Sequence, residues 1–247
     1  MNLNKTAELS AHSKNISQMF DKISRRYDFL NRLLSFRQDV KWRRIMIHRL
    51  PQALPPSQGV LVDVATGTGD VVFQTSKLRP DYKEFWGIDI SPGMLQVAEQ
   101  RKGTEFEGLS HKAVEFRWGS AEDVPLQSDL ADALTISFGL RNVDDRNKAL
   151  ADFLRVLKPS GKLLVLEFFE PSQKWMGILF HMYFHYILPV IGGIFSDKKA
   201  YQYLPNSVKS MPSGNQFKSQ MENLGFGQVK ETRFLFGAVR LFEASKK

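Results

Sequence analysis

Cysteine is missing altogether from the 247 residues. Its absence excludes disulfide staples, thiolate metal centres and cysteine nucleophiles together, and it suits a reducing cytoplasm. Low-complexity tracts and internal repeats are missing too. The first 15 residues, MNLNKTAELSAHSKN, lack the apolar core of a secretory signal. No linker is long enough to separate domains. A single domain over 1–247 is therefore expected, with an N-terminal helical segment over 1–56 and an insertion over about 171–213.

Acid is scarce at the two ends. The first 50 residues hold eleven Lys and Arg against four Asp and Glu, and the last 50 hold nine against three. Between them lie 14 basic and 19 acidic residues. Basic ends are compatible with plain solubility, with anionic lipid or with nucleic acid. Charged residues are wholly absent from the 21 residues Trp175–Phe195. That is nominally enough to span a bilayer. His181, His185, Pro189 and Gly192–Gly193 make it a poor membrane helix, and it falls between two strands of one sheet. It is expected to cap a lipid-like substrate and to touch the membrane surface. His181 and His185 stand at metal-pair spacing, but no third ligand is evident, and no metal is expected.

What is present alternates. Ile16, Phe20, Ile23, Tyr27 and Leu30 form a buried helical stripe within 15–50. Prolines 51, 55 and 56 then break the chain. GVLVDVA, FWGIDI, VEFRWG, ADALTISFGL and GKLLVLEFF read as strands separated by helices over 70–78, from Ser91 or Pro92 to about Arg101, and over 144–157. FGQVKETRF and AVRLFEAS form a terminal hairpin about Phe236–Gly237. Fully apolar strands alternating with helices require a parallel sheet covered on both faces. The predicted fold is a Rossmann-like α/β domain: a seven-stranded, mostly parallel sheet ending in an antiparallel hairpin.

Asp63-Val64-Ala65-Thr66-Gly67-Thr68-Gly69 ends the first strand, where open α/β sheets bind ligands. Gly67 and Gly69 let a ligand approach the backbone. A dinucleotide fingerprint would place glycine at position 72, which is Val72, and the Lys-Ser/Thr of a phosphate loop is missing. A nucleoside such as S-adenosylmethionine fits better than NAD. Asp89, 20 residues past Gly69, can accept hydrogen bonds from a ribose diol. Ser120 and Ala121 follow the third strand and suit an adenine edge. Ser137, Arg141 and Asn142 follow the fourth, on the same rim. Asp144 and Asp145 read as caps of the next helix, with general bases as the alternative.

The chain resembles the ubiquinone/menaquinone biosynthesis C-methyltransferases. One family signature appears as Tyr27 to Trp42 (YDFLNRLLSFRQDVKW) and a second as Arg155 to Phe168 (RVLKPSGKLLVLEF). ISFGLRNV over 136–143 and YQYLPNSV over 201–208 are also family-like. The chain departs from the family pattern at Leu30, Asp39, Ser120 and Ser160, where Met, His, Asp or Asn, and Gly are usual.

The resemblance implies a class I methyltransferase that transfers a methyl group from S-adenosylmethionine to a ring carbon of a polyprenylated quinol in menaquinone or ubiquinone biosynthesis. It implies cofactor binding by Asp63, Gly67, Thr68, Gly69, Asp89, Ser120, Ala121 and Ser137. Tyr27, Asn31 and Tyr201 would bind substrate. Arg141 would stabilise the developing phenolate while Asn142 orients a water, since arginine stays protonated and is no simple base. The expected location is the cytoplasm, in peripheral contact with an anionic inner membrane face. No nucleic-acid partner is expected, and a homo-oligomer is compatible with this reading. The alternatives are a methyltransferase acting on another lipid or small aromatic, an NAD-dependent oxidoreductase, and a non-catalytic lipid- or RNA-binding module.

Overall fold

The computed structural model describes residues 9–53, 58–106, 112–171, 182, 203 and 206–247. Two helices come first, α1 (Ala11–Leu34) and α2 (Gln38–His48). The apolar run at 59–64 is buried at every position and forms β1 (Gly59–Val64). It is followed by α3 (Asp70–Leu78), β2 (Tyr82–Asp89), α4 (Pro92–Glu105), β3 (Ala113–Trp118) and β4 (Ala131–Ser137). A 3-10 turn over Leu140–Asn142 leads to α5 (Arg146–Val156) and β5 (Leu157–Phe168). Then come α6 (Gly214–Asn223), β6 (Lys230–Phe234) and β7 (Val239–Ser245).

The strands form one sheet in the order β3-β2-β1-β4-β5-β7-β6. β1 to β5 pair in parallel, and β7 runs antiparallel between β5 and β6. The expected mostly parallel sheet with its terminal hairpin is present. Because β1 connects to β2 on one side while β4 lies on the other, the chain reverses its winding between β1 and β4. A crevice opens there at the strands' C-terminal ends, the usual ligand position in such sheets.

Strand side chains alternate between two cores. Val62, Val64, Leu134, Ile136 and Val165 pack with Phe153 of α5 and Phe217 of α6. Leu61, Ala133, Leu164 and Leu241 pack on the other face with Trp42, Met46 and Ile47 of α2 and Val71 and Val72 of α3.

Local chemistry explains the boundaries. Ser91 caps α4, accepting from Met94 N, with Pro92 in the first turn. Asp145 caps α5, accepting from Lys148 N. β5 starts earlier than expected because Leu157 already pairs with Ala131 before a register shift. Ser160 sits in that irregular stretch at φ 64°. This left-handed position favours glycine, so the serine carries a steric cost of roughly 1–2 kcal/mol. β6 starts later than expected, because Phe226 makes only an isolated bridge to Lys246.

The expected cap at Trp175–Phe195, with His181 and His185, lies outside the described residues apart from Met182, as does Tyr201. Among the described residues no helix is long and apolar enough to cross a membrane.

Candidate active site

The turn after β1 carries strained backbone. Ala65 (φ 53°), Gly67 (φ 57°) and Gly69 (φ 85°) are all left-handed. A Cβ on Gly67 would meet nothing within 4 Å, whereas one on Gly69 would meet Phe73 at 2.7 Å and Phe116 at 2.9 Å. Gly67 therefore faces open space, and Gly69 is required by packing.

That open space is a cleft along the rim. Asp89, ending β2, lines it and is held from both sides. Its Oδ2 accepts from Gly67 N at 2.8 Å and its Oδ1 from Ser91 N at 2.9 Å. Burial pushes its carboxyl up to about 6. A carboxylate has lone pairs beyond these two bonds, so a diol can still be bound. Ile90, Met94 and Ala121 supply apolar wall beside it, and Ser120 a hydroxyl. The Ser120 oxygen accepts from Glu122 N at 3.1 Å, leaving its proton for a ligand. A polar ribose position beside a flat apolar wall fits the nucleoside of S-adenosylmethionine.

Ser137, Phe138, Gly139 and Asn142 line the cleft from the β4 side. Phe138 is left-handed at φ 60°, and Gly139 sits so close to Ala65 that a side chain there would collide. Strain gathered in facing turns is typical of ligand sites. Asn142 is buried, and its Oδ1 has no hydrogen-bond partner among the described residues.

Arg141 is placed differently from the sequence expectation. It does not line the cleft and is 8% exposed. Its Nη1 donates to Glu167 Oε1 and to the Phe138 carbonyl, both at 2.6 Å, and its backbone N donates to Glu167 Oε2 at 3.1 Å. Its guanidinium lies over the Phe168 ring at 5.6 Å, and Nε has no partner among the described residues. Glu167, 0% exposed, also accepts from Phe168 N at 2.8 Å. Sequence reasoning missed Glu167 as a site residue. A single acid in the otherwise apolar LLVLEF was the available signal.

Helix α1 covers the cleft. Ser13, Ile16, Phe20 and Tyr27 line it from above. Three carboxylates tie the helix to the rim. Asp21 Oδ1 accepts from Ser91 Oγ at 2.6 Å and from Gly93 N at 2.8 Å. Asp28 accepts from Thr68 Oγ1 at 2.8 Å and Arg101 Nη1 at 3.0 Å. Asp144 accepts from Ser10 and Ser13, so it is a tie to α1 and not a helix cap. Burial pushes the Tyr27 phenol up, opposed by the charges of Arg141 and Arg43 and by the neighbouring Asn31 side chain. Arg43 donates from Nε to Ser137 Oγ at 3.3 Å and pairs with Asp39 at 2.8 Å.

The structure thus brings Tyr27, Gly67, Asp89, Ser120, Ala121, Ser137 and Asn142 together around one cleft. Asp63, Thr68 and Gly69 are not among the residues that line it. Asp63 is buried against Thr135, whose Oγ1 donates to it at 2.6 Å, and burial pushes its carboxyl up to about 7. Thr68 is committed to Asp28, and Asn31 reaches the site through Tyr27. Among the described residues no three His, Cys, Asp or Glu side chains gather as a metal site.

The model of the ubiE/COQ5 methyltransferase family matches residues 8–246. A Geotalea daltonii protein named ubiquinone/menaquinone biosynthesis C-methyltransferase is 39% identical, over 97% of this chain and 99% of its own. A Bacteroides fragilis demethylmenaquinone methyltransferase is 37% identical, over 95% and 93%. Among solved structures, an S-adenosylmethionine-dependent methyltransferase of Thermotoga maritima aligns with TM-score 0.63 and 18% identity, covering 94% of this chain and all of that one.

Proposed function

The chain belongs to the ubiE/COQ5 methyltransferase family, and on that premise we propose that it transfers the methyl group of S-adenosylmethionine to a ring carbon of a polyprenylated quinol. When bound, S-adenosylmethionine supplies a methyl group on a sulfonium, already a strong electrophile. The protein has to align the acceptor and make its ring more electron-rich.

Asp89 holds the ribose hydroxyls, with Ile90, Met94 and Ala121 as the adenine wall. Gly67 keeps the turn open. Asn142 Oδ1 accepts a hydrogen bond, donated by the quinol hydroxyl or by a water acting on it. Arg141, one residue away and pinned by Glu167 through both backbone and side chain, holds the turn that presents Asn142 to the acceptor. Tyr27 covers the acceptor from α1. The observation that carries this reading is the buried Asn142 Oδ1, unpartnered among the described residues, in the same cleft as Asp89. A buried acceptor without a donor is costly unless a ligand or water completes it.

The polyprenyl tail stays in lipid, so the protein works as a peripheral protein at the cytoplasmic face of the membrane. The test is transfer of labelled methyl to reduced demethylmenaquinone and to a methoxy-polyprenyl-benzoquinol. Label should appear in a new methyl group on a ring carbon, and whichever quinol accepts it names the ring. Asn142→Ala lowers kcat by about 10²–10³-fold, the usual loss for a positioned polar group, while the KM for S-adenosylmethionine stays within a few-fold. Asp89→Ala raises that KM instead. Bound cofactor with no transfer to either quinol defeats the substrate assignment.

A further inference from the structure

The outward side of α1 and the corner after it form a second surface. On a 100° helical wheel, Lys22, Arg25, Arg26, Phe29 and Leu33 share one face of α1. Ile16, Phe20 and Tyr27 lie on the opposite face, and these line the cleft. Phe29 is 58% exposed and Leu33 40%. The chain then turns through Phe36 at φ 50° and Arg37 at φ 60°, two consecutive left-handed residues without the freedom of glycine. That corner holds Phe36 79% exposed. Neither core burial nor the cleft accounts for it, and strained, exposed bulky residues mark functional positions.

The charges sort in the same way. The three acids between residues 11 and 50 are Asp21, Asp28 and Asp39, and all three are committed inward, to Gly93, Arg101 and Arg43. Lys22, Arg25, Arg37, Lys41 and Arg44 are exposed. The outer side is therefore cationic around an apolar stripe, and none of the acids of residues 11–50 turns towards it.

We propose that the face formed by Lys22, Arg25, Phe29, Leu33, Phe36 and Arg37 docks on an anionic lipid bilayer. The rings and Leu33 enter the boundary between headgroups and acyl chains while the cations meet lipid phosphates. Charge complementarity selects this occupant. An apolar protein partner would leave the cations unmatched, and nucleic acid would leave the apolar stripe in water. With one side of α1 on the bilayer and the other on the cleft, about one helix diameter, some 10 Å, separates lipid from the site. The inference deepens the quinol reading and rests on it for its purpose, though not for its chemistry.

The test uses the full chain and co-sedimentation with vesicles of phosphatidylcholine, alone or mixed with phosphatidylglycerol. One variant combines Leu33→Ser with Phe36→Ser, and another combines Arg25→Ser with Arg37→Ser. Methyl transfer to a short-tailed, water-soluble quinol is measured in parallel. The parent should bind the mixed vesicles and lose binding as salt is added. Each variant should bind at least tenfold more weakly, since each lost cation alone costs roughly fivefold and each lost apolar side chain at least as much, and should keep its transfer to the soluble quinol. Variants that sediment like the parent overturn the proposal, as does a parent that ignores anionic vesicles. A parent dimer that the variants dissociate, without vesicle binding, overturns it in favour of a second copy of the chain. Vesicle binding lost in both variants, with no methyl transfer by the parent to any quinol, upholds this surface and defeats the quinol reading instead.

Discussion

Two buried acids under the cleft, Asp63 and Asp89, are both pushed up by burial, yet they serve differently. Asp89 lines the cleft, where the proposed ribose contact uses its charged form. Asp63 is enclosed, and its proton sets a stability dependence on pH. A carboxyl raised to about 7 in the folded chain binds more protons than it does unfolded. Its stabilisation is therefore present at low pH and is lost as pH rises towards and through 7. The slope is about 1 kcal/mol per pH unit between about pH 4 and pH 7. Asp63→Asn keeps an acceptor for the Thr135 hydroxyl and removes the titration. Urea unfolding across that range should show a shallower fall in the variant. Parallel slopes would show that Asp63 titrates normally.

Helix α1 is tied to the rim by side chains and covers the cleft with Ile16, Phe20 and Tyr27. Asp21→Ala leaves Gly93 N and the Ser91 hydroxyl without their acceptor. A loss of about 1–3 kcal/mol follows where such groups stay buried. Hydrogen exchange over residues 11–34 should accelerate, and S-adenosylmethionine should bind more weakly. The 3-10 turn Leu140–Asn142 depends likewise on Glu167, which holds both the backbone and the side chain of Arg141. Glu167→Gln leaves a buried guanidinium uncompensated, at roughly 3–5 kcal/mol. In protein that remains folded, kcat should fall while the KM for S-adenosylmethionine holds, because the turn serves the acceptor side. Equal losses in both would make Glu167 purely structural.

Across the molecule, one sheet supports everything, and the strand that completes it is the last. β7 lies between β5 and β6, and Phe242 is fully buried with Phe169 and Phe217 at ring-centroid distances of 5.4 and 5.0 Å. Phe242→Ala should cost about 3–5 kcal/mol, read as a lower denaturant midpoint with an unchanged slope. The same sheet carries Glu167 and Phe168 on β5, so damage at the C-terminus reaches the 3-10 turn through β5. Truncating β7 should therefore abolish methyl transfer along with stability.

Much of this was legible from local patterns. Unbroken apolar runs separated by caps determined a parallel sheet, because such strands must be covered on both faces. That Gly67 and Asp89 would line a crevice was readable, because strand ends at a switch point open onto one. Ser91 and Asp145 announced their helices by residue type and position. Other features depended on residues far apart in the chain. Glu167 became a partner of Arg141 only when β5 paired beside β4. Asp63 meets the Thr135 hydroxyl because register sets the two opposite each other. Asp144, read as a cap or base, serves as a tie to α1. The sequence by itself determined which segments meet solvent or core, since burial follows composition and period. Only the tertiary structure decided which polar side chains face a ligand and which face one another, because a hydrogen bond needs atoms about 3 Å apart, and no local pattern places them there.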